Sequence, residues 1–515
     1  MTHTFLARAS ALALPFLLAA PAIGQTTFNR TSPAGGNLSE LAYWTTERVF
    51  VNVFNRAAPW WSQKTTSSVW QTSEPLDVDA DGWVRSLRSE QAAGTLMFRD
   101  SAGHYPDGRY HVTYDGDGDL QLGFDAREVR RSPGLIEIDV SPSDAGIYVK
   151  LVRTNPADHL RNIRIVHQRH LSMTSEFLPI LKQSVAGYRE LRFMDFQRTN
   201  NSPIREWSER TKPSSYTQDA PGGVALEHMI DLCNETNSDP WVCIPHMASD
   251  DYIRNFARVV RDRMRPGLQV WVEYSNEVWN SLFTQHAWAQ QEGLRLGLST
   301  SPWTAHMRYY AQRSVDIFDI FEQEFGGTNR IVRVLASQNA NPWVGEQIMD
   351  WQNAHQSADV LAVAPYFGGG LGDPATQFQI QSWTTEQVLT YCFRDVDASM
   401  DTARQNGDNA SSRGLRLVAY EGGQHLVGWG GAENNTQLEA LFHSANRHPW
   451  MYVINLSYLG KWLRSGGTDF VYYNTTSAFS KWGSWGSREY SDDDPWRSPK
   501  FLSMLHWVIW NKRTW

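Results

Sequence analysis

Residues 268–276 read LQVWVEYSN, a run in which Leu268, Val270, Trp271, Val272 and Tyr274 surround a single glutamate, Glu273. A run this short and apolar predicts a strand covered on both faces. A carboxylate inside it is costly unless paired, hydrogen-bonded or neutral. Runs of the same kind recur at LRFMDF (191–196), WVCIPHM (241–247), RIVRVLAS (330–337), DVLAVAPYF (359–367), LRLVAYEGG (415–423) and DFVYYN (469–474). Amphipathic segments separate them. SDDYIRNFARVVRDRM (249–264) opens on a Ser/Asp cap and places Ile253, Phe256, Val259 and Val260 on one face. AHMRYYAQRSVDIFDIFEQEF (305–325) and FLPILKQSVAGY (177–188) keep the same period. With an earlier run near NLSELAYW (37–44), the strands number eight. Strand and helix in alternation predict a parallel sheet, and eight repeats an α/β fold of the (β/α)8 TIM-barrel type.

The chain has 515 residues, and a barrel of this type uses about 250. Part of the surplus is visible as a change of rhythm. Residues 75–170 hold short alternating runs (WVRSLRS, GTLMFRD, GRYHVTYDG, DLQLGFD, LIEIDV, IYVKLVR) punctuated by Gly, Pro and Asp, the pattern of antiparallel sheet. We therefore expect an inserted β-sandwich-like domain at 75–170, with the barrel formed by 25–74 and 171–515. DVDADGW (77–83) opens like a calcium loop, but its twelfth position is Arg88 where a bidentate glutamate belongs. YDGDGDL (114–120) lacks the glycine at loop position six. Hairpin turns use Asp-Gly freely, so both read first as turns.

The first 24 residues carry Arg8, an apolar run from Ala11 to Ala20 and small residues at 22–24. This is the pattern of a secretory signal peptide, and it predicts a secreted or periplasmic protein. The chain offers no later apolar stretch long enough for a membrane span. A net charge of -8 gives no footprint for nucleic acid. Cys233, Cys243 and Cys392 are too few for a disulfide scaffold. Cys233 and Cys243 either pair or sit as small buried hydrophobes. No Cys/His spacing suits zinc, and neither metal nor cofactor is expected. Tryptophan is in surplus, with 23 residues. Flat aromatic faces of that kind stack on sugar rings as well as filling cores, and a monomer acting on a carbohydrate is the expectation.

Glu277 follows four residues after Glu273, at the carboxyl end of the fourth strand, where such barrels keep their active sites. Strand alternation predicts that Glu273, Ser275 and Glu277 face the same way. Asn276 precedes Glu277. The chain contains a second Asn-Glu pair, Asn234-Glu235, in DLCNETNSD, whose polar surroundings have nothing to recommend them. The partner carboxylate is Glu421 in RLVAYEGGQHL (416–426), at the end of the seventh strand. Gly422 and Gly423 follow it, leaving room for a sharp turn and a ligand. Two carboxylates about 5–5.5 Å apart across a barrel mouth match retaining glycoside hydrolysis.

Asn-Glu ending strand four and Glu ending strand seven resemble clan A of the retaining glycoside hydrolases, which includes cellulase, mannanase and arabinofuranosidase families. The resemblance implies Glu277 as acid/base, Glu421 as nucleophile and Asn276 as ligand of the sugar 2-hydroxyl. It extends to Arg192 as support for the nucleophile, His246 at the end of strand three and Tyr366 as a hydrogen-bond donor to the nucleophile. Trp482 or Trp485 would be the floor under the sugar. Val278-Trp279 departs from the proline that many family-five cellulases carry after the glutamate, and the β insertion lies outside the clan's common core.

Each residue also has a plain structural reading. Glu273 fits an internal ion pair, Arg192 fits one equally, and His246 fits a core histidine. Trp44, Trp60, Trp61, Trp482 and Trp485 stand out only by lying near strand ends. The sequence points to a secreted hydrolase of β-linked polysaccharides or oligosaccharides. The alternatives are a non-hydrolytic carbohydrate-binding protein and a cell-envelope attachment protein on a barrel scaffold.

Overall fold

The computed structural model describes residues 29–66 and 69–511; the signal-type segment lies outside the described residues. Eight strands close into a barrel: β1 (Ala34–Asn37), β2 (Glu190–Arg192), β3 (Asp239–Ile244), β4 (Val270–Tyr274), β5 (Ile331–Ala336), β6 (Val360–Val363), β7 (Arg416–Ala419) and β8 (Gly467–Tyr472). Every neighbouring pair is parallel, and β8 closes on β1. With helices packed outside, this is a (β/α)8 TIM barrel. The helix Asp250–Arg263 shows how the pattern becomes structure. Ser249 caps it by accepting from the Tyr252 N–H, and Ile253, Phe256 and Val260 are buried against the barrel, while Val259 sits at the margin.

The first strand is not where the apolar pattern placed it. Of NLSELAYW only Asn37 belongs to β1 and the rest forms the loop after it; the strand itself is AGGN. Its glycines are required by their neighbours. A Cβ on Gly35 would stand 2.8 Å from the Glu190 carbonyl oxygen, and one on Gly36 2.7 Å from the Tyr188 ring. The side chains that fill this part of the core come from β2 and its approach and from β8 and its exit (Tyr188, Glu190, Val471, Thr475), so β1 has no apolar signature of its own. We expect Gly35→Ala to cost roughly 1–3 kcal/mol, because backbone oxygen cannot yield as a flexible side chain would; urea denaturation measures it, and unchanged stability would contradict the packing.

Between β1 and β2 the chain builds two four-stranded antiparallel sheets. One runs Trp61–Lys64, Gln91–Met97, Ile147–Thr154, Gly118–Phe124; the other Arg161–His167, Gly108–Asp115, Leu135–Val140, Ala126–Ser132. They enclose a core of their own that includes Tyr110, Val112, Ile138 and Val149. The strand Trp61–Lys64, within the stretch read as barrel, belongs to this sandwich. Trp61 packs there against Trp70 and Tyr148, while Trp60 stacks on Tyr216 from the loop after β2. Buried Arg56 fastens the junction by donating to the carbonyls of Ala42, Thr45 and Glu47.

The acidic turns are spent internally. Asp79 accepts the N–H groups of Asp81 and Trp83, each at 2.9 Å, and contacts His159, while Asp77 holds Arg85 and Ser86. All three cysteines are free and buried, so Cys233 and Cys243 take the second of their two readings. Among the described residues, no helix is long and apolar enough to cross a membrane.

Candidate active site

Arg192 is the centre of the barrel mouth. It ends β2, is fully buried, and spends all five guanidinium N–H groups. Nε and Nη2 grip the two oxygens of Glu273 at 3.0 Å each, and Nη2 also reaches the Asn276 amide oxygen at 2.8 Å. Nη1 donates to Asn37 Oδ1 at 3.1 Å and to Glu421 Oε2 at 3.2 Å. Glu273 receives further hydrogen bonds from the Trp241 indole at 2.8 Å and the Cys243 thiol. The glutamate inside LQVWVEYSN is thus a structural anion. It is affordable because a bidentate arginine and an indole saturate it.

Glu277 is aimed by a turn. β4 stops at Tyr274, and Ser275 (φ 57°) and Glu277 (φ 42°) are left-handed. The expected alternation of Glu273, Ser275 and Glu277 therefore fails beyond Tyr274. Left-handed non-glycine backbone costs roughly 1–3 kcal/mol and is held where the surroundings over-determine it. Here Asn280 Nδ2 donates to Glu277 Oε2 at 2.9 Å and the Tyr420 hydroxyl to Oε1 at 3.2 Å. Gln285 fixes the same turn by donating to the Asn276 carbonyl and to Asn200, which accepts from Asn276 Nδ2.

Glu421 follows β7 at the same end of the barrel and is buried. Gly422 serves packing beneath it: a Cβ there would lie 2.7 Å from both Phe470 and the Tyr458 hydroxyl oxygen. The room is for the core, and only Gly423 (φ 140°) is in the glycine region. Tyr420 and Glu421 bring the two carboxylates together, since Tyr420 reaches Glu277 while Glu421 meets Arg192.

Each carboxylate stands in the field of the other. Burial pushes both above the ordinary carboxylate range, and Glu277 adds to the rise at Glu421. The donors that the resemblance assigns to Glu421 do not offset this rise. Arg192 is largely engaged with Glu273 and spares Glu421 one bond, and the Tyr366 hydroxyl makes no hydrogen bond to Glu421 among the described residues. Such a pair titrates as a unit. Among the described residues Arg192 hydrogen-bonds Glu421 and not Glu277, so the two carboxyls stand in unequal surroundings.

Tyr366 is near the pair through its ring. It packs edge-on against Trp485 at 5.8 Å, and Trp485 reaches Tyr473 at 5.7 Å. Trp485 thus borders the mouth, whereas Trp482 points outward beneath Lys481 and supplies only its carbonyl to the Trp485 indole. Trp44 is exposed on the loop after β1, with no ring partner among the described residues. His246 is buried beside Trp288, its pKa lowered to about 4 by burial and by Arg205, and its carbonyl accepts from Tyr274. Among the described residues no hydrogen bond joins His246 to the carboxylates. Asn234-Glu235 lies on the helix Leu226–Thr236, where Glu235 binds Lys182. Sequence reasoning missed Asn37, Tyr420, Tyr473 and Asp195. The first lies in the glycine-rich strand; the others directly follow or adjoin strand ends, a position that does carry a signal.

No family model and no curated protein matches the chain. Among solved structures, the chain is similar at low identity to several glycoside hydrolases. A GH51 arabinofuranosidase from Xanthomonas axonopodis pv. citri is 11% identical, covering 60% of this chain and 62% of its own, with a TM-score of 0.38. The chain thus spans about three-fifths of that enzyme. A family 5 xyloglucanase from Paenibacillus pabuli is 11% identical over 66% of this chain and 92% of its own, with a TM-score of 0.38. A 4-O-alpha-L-rhamnosyl-beta-D-glucuronidase from Fusarium oxysporum is 11% identical over 64% and 63%, with a TM-score of 0.39. At such values the barrel rests on its own strand order, and no activity is carried over.

Proposed function

We propose that the protein is a retaining glycoside hydrolase acting on a β-linked polysaccharide or oligosaccharide, with Glu277 as acid/base and Glu421 as nucleophile. The observation that carries this reading is the asymmetry of the pair: two carboxyls at one barrel mouth, with the arginine on Glu421 only. Glu277, protonated, donates to the glycosidic oxygen as Glu421 attacks the anomeric carbon. Glu277 leaves this step ionised, and because the ester carries no charge it stays so, taking a proton from the incoming water as that water attacks the anomeric carbon. Glu421 leaves as a carboxylate and Glu277 is protonated again. Asn276, fixed by Arg192 and Asn200, is placed to meet a sugar hydroxyl. The signal-type pattern at residues 1–24 supports export of the enzyme.

The test is hydrolysis of a panel of β-linked glycans, with the first-formed anomer followed by NMR. Retention is expected; inversion, or cleavage of none of them by folded protein, would remove the reading.

The pH profile should be bell-shaped. Below the pair's first ionisation Glu421 is protonated and cannot attack; above the second, Glu277 has no proton to give. Both carboxyls are raised, so the active window should lie above that of free glutamates, whose ordinary value is 4.5. Glu277→Gln should abolish the alkaline limb on aryl glycosides, whose leaving groups need no acid. An alkaline limb that persists in that variant would assign the titration elsewhere.

A further inference from the structure

One carboxylate at the mouth has no part in the double displacement. Asp195 lies three residues beyond β2 and is half-buried. Its Oδ2 accepts from the Tyr473 hydroxyl at 2.7 Å. Its Oδ1 has no hydrogen-bond partner among the described residues and is not sealed from solvent. Tyr473 directly follows β8, and its ring meets Trp485. β2 and β8 flank β1, so the Asp195–Tyr473 bond spans the mouth above Asn37. In a ring of eight strands, β8 stands opposite β4, the strand that leads to Glu277. A proton donor must sit beside the leaving group. The far side therefore holds the sugar that becomes esterified to Glu421.

Resting on the glycosidase reading, we propose that Asp195, braced by Tyr473, is a specificity-determining residue that accepts a hydrogen bond from a hydroxyl of the retained sugar and disfavours a retained sugar that carries a carboxylate. A hydroxyl donating to an ionised carboxylate makes one of the stronger hydrogen bonds available to a neutral ligand. The charge balance supplies the second half. Arg192 is answered by Glu273, and Arg198, the next cation, is held by Glu40 at 3.0 Å and Asp219 at 2.6 Å. Glu40 and Glu421 face Asp195 as further anions. A uronate carboxylate would meet negative charge with no cation to spare, which is how a site rejects a competitor. Tyr473 leaves one Asp195 oxygen free and fixes where it points.

The experiment compares wild type with Asp195→Asn on a glycan the wild type cleaves, on its monodeoxy analogues and on the matching uronide. The expected result is a loss in kcat/KM of about tenfold to a hundredfold on the parent glycan. The loss should vanish on one monodeoxy analogue, whose missing hydroxyl has already removed the contact, and the discrimination against the uronide should narrow. Tyr473→Phe, which keeps the carboxylate and frees it, should show the same dependence with a smaller loss. An equal loss on every analogue would mean a structural role and overturn the proposal, as would no loss at all. If folded wild type cleaves no glycan, the glycosidase reading itself falls and this one with it. If wild type cleaves and only the analogue pattern is absent, this inference alone fails.

Discussion

Glu421→Gln is expected to leave a folded protein whose turnover of its glycan falls by roughly 10⁴-fold or more, since no other group can form the covalent intermediate. Glu277→Ala should cost about 10²–10⁴-fold on natural linkages, the usual worth of a general acid, and much less on activated aryl glycosides. Azide separates the two roles. With the smaller Glu421→Ala it should attack the free face and give a glycosyl azide of inverted configuration. With Glu277→Ala it should capture the ester and give the retained azide. Exchange of these two outcomes would reverse the assignment, and full activity in both variants would end it.

The same substitution makes a stability prediction of opposite sign. A carboxylate whose pKa is raised by folding is tolerated while protonated, and its stability contribution is lost as pH rises through the folded value. Glu421 is such a group. Removing its charge leaves Arg192 and Glu273 as a neutral pair. Glu421→Gln should therefore melt higher than wild type at alkaline pH, with the gain shrinking as pH falls through the raised folded value and gone below the ordinary glutamate value of 4.5. Loss of activity with gain of stability is the mark of a site kept for chemistry. A Tm difference that is flat with pH would mean that the buried pair is not the source of the strain.

Arg192→Met should be the most damaging single substitution for the fold. It strands Glu273, fully buried, with only the Trp241 indole and Cys243 thiol as donors, and leaves Asn37, Asn276 and Glu421 without their common partner. Breaking a buried pair from one side costs about 3–5 kcal/mol. Adding Glu273→Leu should return a substantial part of that loss, because the uncompensated charge is then gone. Urea denaturation of the two single variants and the double variant measures the coupling. If the double variant is no more stable than Arg192→Met, the pair is not the unit that the hydrogen bonds describe.

Much of this architecture could be read before any coordinates. Seven of the barrel strands overlap short apolar runs because both faces are covered, and that burial writes itself as hydrophobicity along the strand. The eighth, AGGN, left no trace: its contribution is the absence of side chains, and the volume it vacates is filled by Tyr188 and its neighbours. Glu277 and Glu421 were legible because position at a strand end has meaning in this fold. His246, Trp44 and Trp482 have equally suggestive positions, yet among the described residues none is hydrogen-bonded to the carboxylates.

Residue type and spacing alone pointed to a barrel of repeated strand and helix and to the end at which the two glutamates emerge, since these follow from local hydrophobic period and right-handed connection. Only the tertiary structure decided how Arg192 divides its five N–H groups. It also decided that a left-handed turn rather than strand alternation aims Glu277, that Tyr420 bonds Glu277, and that Tyr473 bonds Asp195. The reason is physical: a guanidinium chooses among acceptors up to 229 positions away in the chain, and such choices depend on distances that no local pattern encodes.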